Sequence, residues 1–354
     1  MKHTIAIELI SAICKPMKPF TKTDPTNWVS RSKTASVDDV PRFRLNPHLN
    51  PIVRALVLSF ATIAIGVGFA TSASAQSEEA THSGRSVALG TGVRASAAST
   101  SALAQNPANL PLTPVYHLES TTAYEPGLGR FAIGGAIVDS ALSRIAAGLS
   151  FRGLVGGGDN DYGGVDMRAG LAMPVSPSLS IGASLRYVSL PLTLPDGTVA
   201  NLGKGFTMDA SMRVTLLPGL HLAVLGSNLV DRHSALLPVR FGGSVSYTLV
   251  DTLTIGADLL FNVSSNLPGA PVLVGGGIEW LSASAVPIRF GYAYDELSHT
   301  HYLSGGLGYI DQRVGVDLSL RQALTGENAT YLLLGVRYFY DAAGATQTGG
   351  REGL

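Results

Sequence analysis

The stretch Ala329-Thr-Tyr-Leu-Leu-Leu-Gly-Val-Arg-Tyr-Phe-Tyr340 decides how the rest of the chain is read. Leu332, Leu334, Val336, Tyr338 and Tyr340 fall on one face at period two, and Tyr331, Leu333, Gly335, Arg337 and Phe339 fall on the other. Side chains alternate across an extended strand, so the segment has one wholly apolar face and one mixed face. A run of about ten residues with an aromatic end is the length at which a tilted strand crosses a bilayer. A strand of a soluble sandwich alternates in the same way, so the decision passes to the chain upstream.

From Thr113 to Tyr340 the alternation recurs in fourteen segments: 113-124, 129-139, 142-153, 163-173, 178-189, 204-216, 219-228, 239-249, 252-263, 271-281, 287-295, 301-310, 313-322 and 329-340. Leu179, Ile181, Ala183, Leu185 and Tyr187 alternate with Ser180, Gly182, Ser184 and Arg186. Leu253, Ile255, Ala257, Leu259 and Phe261 alternate likewise with Thr254, Gly256 and Asp258. This is the apolar-out, polar-in pattern of a lipid-facing barrel. Pro174, Pro177, Pro218, Pro238, Pro268, Pro271 and Pro287 fall at or near segment ends, where a missing N–H is tolerated.

The connections carry an independent signal. Those around 140, 175, 218, 250, 284 and 311 are short, and those at 154-162, 190-203, 229-238, 264-270, 296-300 and 323-328 are mostly longer. Alternating short and long connections are what short periplasmic turns and longer outer loops produce. A sandwich or β-helix has no reason to show them. The expected fold is therefore all-β: an up-and-down antiparallel transmembrane β-barrel of about fourteen strands over 113-340, with both ends periplasmic and a tail over 341-354.

Composition agrees. In 354 residues there are 41 glycines, 14% charged and 45% hydrophobic residues, too few charges for an ordinary soluble enzyme of this length. The single cysteine, Cys14, excludes a disulfide framework. The formal charge of zero hides an asymmetry: 9 basic against 4 acidic residues before Gln76, and 16 against 21 from there on. That acidic excess of the mature part argues against a nucleic-acid partner.

The first 75 residues read as targeting sequence. Arg54 precedes an apolar run from Ala55 to Ala70, and Ala73-Ser74-Ala75 before Gln76 is a small-x-small cleavage site. The expectation is a signal peptide over 53-75, cleaved after Ala75, preceded over 1-52 by a proline- and lysine-rich extension that is disordered or not native, with the true start near Val53.

From Gln76 to Leu112 the chain is small and polar, without strand alternation. Ala95 to Gln105 can form a short helix that ends before Pro107. Ala95 to Leu110, reading Ala-Ser-Ala-Ala-Ser-Thr-Ser-Ala-Leu-Ala-Gln-Asn-Pro-Ala-Asn-Leu, resembles the N-terminal segment of the long-chain fatty-acid transport proteins, the FadL and TodX family. There an Asn-Pro-Ala segment belongs to a small hatch that plugs the barrel from the periplasmic side. The resemblance implies that 76-112 is such a hatch, with Asn106, Pro107 and Ala108 as its motif. It departs at Asn109, where the family has glycine. Fourteen is also the strand number of that family. Gly335, Tyr338 and Tyr340 are similar to the glycine-x-x-aromatic-x-aromatic signal in the closing strand of outer-membrane barrels, although Leu333 stands where a polar residue is usual.

Charged residues in the strands fall mainly on the polar face: Arg168, Arg186, Arg213, Arg240, Arg289, Arg321 and Arg337 against Asp166, Asp209, Asp258, Glu279 and Asp317. An arginine facing lipid at mid-bilayer costs about 2 to 4 kcal/mol, so these groups should line the lumen. They either brace the wall as ion pairs or form a polar lining that selects a solute. Other motifs are incomplete. Gly90-x-Gly92-x-x-Ala95 lacks the strand and βαβ unit of a dinucleotide site. Gly156 to Asp161 has oxygen ligands but no complete calcium loop. His299 and His301 lack a third ligand for a metal, and there is no Gly-x-Ser-x-Gly elbow.

The expected protein is a non-enzymatic outer-membrane barrel without cofactors. It would pass hydrophobic or amphipathic small molecules, long-chain fatty acids among them, and its partners would be outer-membrane lipid and the barrel-assembly machinery. The competing class is a structural or interaction barrel of the protein-shuttle type.

Overall fold

The structure is a computed structural model, and it describes residues 82–126, 129–156, 161–193, 199–234, 237–264, 269–325 and 329–340. The expected extension, signal peptide and C-terminal tail lie outside these residues, as does most of the Gly156–Asp161 stretch.

Fourteen long strands follow one another: β1 Tyr116–Glu125, β2 Arg130–Asp139, β3 Ala146–Val155, β4 Gly164–Ser176, β5 Leu179–Thr193, β6 Val199–Leu217, β7 Leu220–Ser227, β8 Arg240–Leu249, β9 Leu253–Asn262, β10 Val272–Leu281, β11 Pro287–Asp295, β12 Thr300–Ile310, β13 Val314–Ala323 and β14 Thr330–Tyr340. Each pairs antiparallel with its chain neighbours. β1 pairs with β14 from Tyr116↔Tyr340 to Tyr124↔Leu332, which closes the sheet and leaves no free edge. The opening stretch is thus the closing strand. The two-residue strand Asp161–Tyr162 adds to the far end of β5 at Leu192 and Thr193.

Two boundaries differ from the sequence reading. The stretch 190–203 reads as a loop because Pro191 and Pro195 break its alternation, yet β5 and β6 stay paired out to Thr193↔Val199. The register shifts between Leu190 and Pro191, and such an irregularity accommodates a residue that cannot donate to the ladder. β3 begins at Ala146 rather than 142, because Asp139 Oδ1 accepts from the backbone N–H groups of Ala141 and Leu142, both at 3.1 Å, and turns the chain there.

The outward face is an apolar band that includes Leu118, Ile133, Leu149, Leu185, Val224, Ile255 and Leu259, with Tyr247, Trp280, Tyr338 and Tyr340 exposed toward the end where β1 begins and β14 ends. Exposed apolar residues on every other position of a closed sheet need lipid, not water, around them.

The inner face is covered by the segment that precedes β1. It comprises helix α1 Gly84–Ala88, a 3₁₀ turn Arg94–Ser96, helix α2 Ser99–Gln105 and a second 3₁₀ turn Pro107–Leu112. α1 packs against β11 to β14, the first 3₁₀ turn against β7 to β9, α2 against β1 to β4, and the second 3₁₀ turn against β3 to β6. Gly92 meets the backbone of Gly276 on β10. A segment that touches strands all around a closed barrel lies inside it.

Candidate functional site

The luminal segment folds around two asparagines. Asn106 Nδ2 donates to the Arg94 carbonyl at 2.9 Å, and Asn109 Nδ2 lies within 3.1 Å of the carbonyl oxygens of Arg94, Ala95 and Ala97. Both residues are fully buried. Short amide side chains satisfy backbone acceptors that no helix or sheet would satisfy here. Asn109 is the residue that departs from the family pattern, and reading the Asn-Pro-Ala motif alone missed its part. Serines cap both short helices. Ser83 and Ser86 exchange bonds at the start of α1, and the Ser101 hydroxyl donates to Ala98 O at 2.6 Å at the start of α2.

Glycine in the wall admits this segment. A Cβ on Gly182 of β5 would meet the Pro107 carbonyl carbon and Ala108 N at 2.5 Å, one on Gly256 of β9 would meet Gly92 O at 2.6 Å, and one on Gly291 of β11 would meet the Leu89 carbonyl carbon at 2.2 Å. The Gly90-x-Gly92 spacing is explained the same way: Gly90 has φ +61°, and a Cβ on Gly92 would fall 2.3 Å from Gly276. Leu103 of α2 packs into the room left by Gly148 and Gly170.

Polar contacts complete the seat. Wall hydroxyls take up backbone groups of the segment: Ala95 N donates to Ser244 Oγ at 2.8 Å, Ala108 N to Ser211 Oγ at 2.9 Å, and Ser319 Oγ donates to Gly84 O at 2.7 Å. Thr100 donates to Glu119. Arg85 pairs with Glu279 at 2.9 Å, and the fully buried Arg94 lies 3.3 Å from Asp258. His82 Nε2 lies 3.1 Å from Asp166, and burial outweighs the pull of that carboxylate, so the imidazole is lowered from its ordinary value to about 4.

The arginines and acids assigned to the polar face of the strands point inward, and most are buried rather than wetted. Arg168 pairs with Asp209 at 2.8 Å and Arg186 with Asp166 at 2.6 Å. Arg289 bridges Glu279, at 2.5 Å, and Asp317, which also takes Arg337. Arg240 reaches Asp295 at 3.6 Å, and Arg213 contacts His221 Nδ1 at 2.7 Å and the Ala95 carbonyl at 3.3 Å. These pairs join neighbouring strands and strands two or three apart across the inner wall, and the contacts of Arg85, Arg94 and His82 tie the luminal segment to the same acids or their neighbours. Arg321 is the exception, with neither an ion pair nor a side-chain hydrogen bond among the described residues.

An apolar cluster lies in the half of the lumen toward the longer connections. Val87 of α1, Ala123, Ala132, Leu154, Val188, Leu190, Tyr331 and Leu333 of the wall, and Leu237 from the connection between β7 and β8 form it. The wall residues stand on the inner face beside the charges, where period two alone reads them as ordinary strand residues. In the closing strand, Tyr338 and Tyr340 are exposed on the outer face, and Gly335 faces inward near Glu119.

His299 and His301 do not share a face with a third ligand. His301 stacks on Tyr294 with ring centroids 4.5 Å apart and bonds the Tyr292 hydroxyl at 2.5 Å, while His299 sits in the turn before β12 with φ +50°. Among the described residues no cluster of His, Cys, Asp and Glu has metal-binding geometry.

No protein-family model and no curated protein sequence matches the chain. Solved structures do. The CymD monoaromatic hydrocarbon channel is 14% identical, with a TM-score of 0.53 over 72% of this chain and 94% of that one. The toluene transporter TbuX of Ralstonia pickettii is 17% identical, with a TM-score of 0.50 over 69% and 94%. The toluene transporter TodX of Pseudomonas putida is 14% identical, with a TM-score of 0.50 over 71% and 98%. At such identities the likeness is one of fold, and the closed fourteen-stranded barrel with a short helical segment before it fits the FadL and TodX type.

Proposed function

We propose that the protein is an outer-membrane channel through which hydrophobic or amphipathic small molecules, long-chain fatty acids among them, enter by diffusion, and that residues 82–112 are its plug. The observation that carries this reading is the arrangement of the lumen along its axis. A buried apolar cluster, with Val87 of the segment in it, fills the half of the lumen toward the longer connections, and the rest of the segment, seated on glycines, lies beneath it. Such residues favour a solute of low polarity over water once the segment gives way, and the segment stands between them and the far end.

In this reading the chain termini face the periplasm, the outward apolar band meets outer-membrane lipid, and Gly335, Tyr338 and Tyr340 serve the assembly machinery. The inward ion pairs hold the wall rigid while the segment shifts. The channel, toluene and hydrocarbon names of the neighbouring structures agree with a solute of low polarity. The test is uptake of a labelled fatty acid and of toluene by bacterial cells that lack other channels of this kind. Cells carrying the protein should take up at least one faster than cells without it. Equal rates for both, with the barrel recovered in the outer membrane and co-purifying with a secreted protein, would favour the interaction barrel instead.

A further inference from the structure

Lys204 on β6 is the only lysine after Lys33. Among the described strand residues it is also the one lysine or arginine on the outward face, where it is exposed in line with Phe206 and Met208. A cation facing lipid is costly at mid-bilayer and nearly free of cost at the interface, so Lys204 belongs at the level of the lipid headgroups, with its stem along the apolar wall. Arg232, in the connection between β7 and β8, stands at the same level. It is exposed, and its Nε and Nη2 donate to the Lys204 carbonyl at 3.2 and 2.8 Å. Neither cation has an ion pair among the described residues, and the adjacent Asp231 accepts from the backbone N–H of His233 at 2.8 Å.

Below the two cations, toward mid-bilayer, the outward face of β1 to β6 carries a groove of about 700 Å³. One rung of the strand register runs across it from Leu118 to Leu185, and the next from Gly135 to Phe206. Ala169 and Gly135 are the short members of these rungs and leave the hollow between their bulkier neighbours. Tyr187 and Phe206, with ring centroids 5.0 Å apart, stand at its upper corner, where aromatic side chains mark a membrane interface. Lys204 lies opposite Ser189 on the rung after that pair, about 7 Å farther along the strands. Six strands spaced about 4.8 Å apart make a face about 24 Å wide, room for several acyl chains side by side. An apolar hollow of this breadth, headed by two cations without acids, is the complement of a lipid that has phosphate on its headgroup and more than two chains.

We propose that this face binds lipopolysaccharide of the outer leaflet, with its phosphate on Lys204 and Arg232 and its acyl chains in the groove. The inference goes beyond the transport reading and takes from it only the orientation, with the longer connections outside. The site lies on the outer wall and is separate from the lumen.

The experiment is equilibrium binding on purified, detergent-solubilised protein, so its outcome does not depend on whether the barrel passes solutes. The probes are lipopolysaccharide, the same lipopolysaccharide after removal of its phosphates, and phosphatidylglycerol. The unaltered protein should bind the phosphorylated form about tenfold more tightly than the dephosphorylated one, the worth of charge-assisted hydrogen bonds, and more tightly than phosphatidylglycerol. Lys204→Gln combined with Arg232→Gln should abolish the preference for phosphate. Ala169→Trp, which fills the groove and leaves the cations in place, should weaken binding of both forms alike. Heat-modifiable migration on gels checks that each variant has folded. Equal affinity of the unaltered protein for the two forms of lipopolysaccharide, or an undiminished preference for phosphate in the double Gln variant, overturns the headgroup site. Phosphatidylglycerol bound as tightly as lipopolysaccharide overturns the choice of lipid.

Discussion

The Pro107 carbonyl of the luminal segment lies against Gly182 of β5 so closely that any side chain on Gly182 would occupy the same space, with a Cβ only 2.5 Å from the carbonyl carbon. The wall is therefore shaped to the segment. Gly182→Val should force the second 3₁₀ turn off the wall, at a cost of about 1 to 3 kcal/mol from overpacking. Hydrogen exchange over 95–112 should quicken while the barrel strands stay protected. Unchanged exchange in that segment would mean that it does not rest on Gly182.

Arg94 and Asp258 form the most deeply buried tie between segment and wall. Removing one partner leaves the other as an uncompensated charge, so Asp258→Ala should weaken docking by about 3 to 5 kcal/mol. Adding Arg94→Met to that variant should recover much of the loss. A double-mutant cycle on segment protection checks this, and additive losses would show that the two residues are not coupled.

The pair Thr254 and Ile255 tests facing. Both strand faces read correctly from alternation: Ile255 is exposed on the band, and Thr254 is buried inside. Water-soluble thiol reagents should miss Thr254→Cys in the intact protein and label it once residues 82–105 are deleted, whereas Ile255→Cys should stay shielded by lipid in both. Labelling of Thr254→Cys at the same rate with and without the segment would contradict a covered lumen.

His82 gives the docked segment a pH dependence. Its imidazole is lowered to about 4 by burial, so the docked form holds a neutral ring that the released form would protonate below about 6.5. Docking should be unaffected above that value and weaken as pH falls toward 4, by about 1.4 kcal/mol per unit and about 3 kcal/mol in all. Conductance should rise over this window, and His82→Gln should flatten the rise. Superimposable profiles would show that His82 is not the titrating group.

Period-two alternation exposed the barrel because lipid outside and polar groups inside impose opposite demands on neighbouring residues. Strand ends were legible to within a few residues, except where Pro191 hid a bulged but continuous strand. The interior was less legible. Reading Arg168, Asp209 and Asp258 as lining residues follows from their face, but which acid each arginine meets depends on strand register, and Arg94 comes from outside the strands altogether. Gly182 and Gly256 stand in the sequence only as members of the polar face, yet they are contact points, because a glycine's empty side carries no mark of what fills it. Asn109 looked like a departure from a motif and holds three carbonyls.

The account stands on the claim that residues 82–112 fill a lumen that would otherwise be open. A barrel of fourteen strands is wider than side chains alone can fill, so single-channel conductance in planar bilayers reads the claim directly. The chain lacking 76–105, or carrying Ala at Asn106 and Pro107, should assemble with the usual heat-modifiable migration and conduct severalfold more than the unaltered protein. Equal conductance with and without the segment would contradict it.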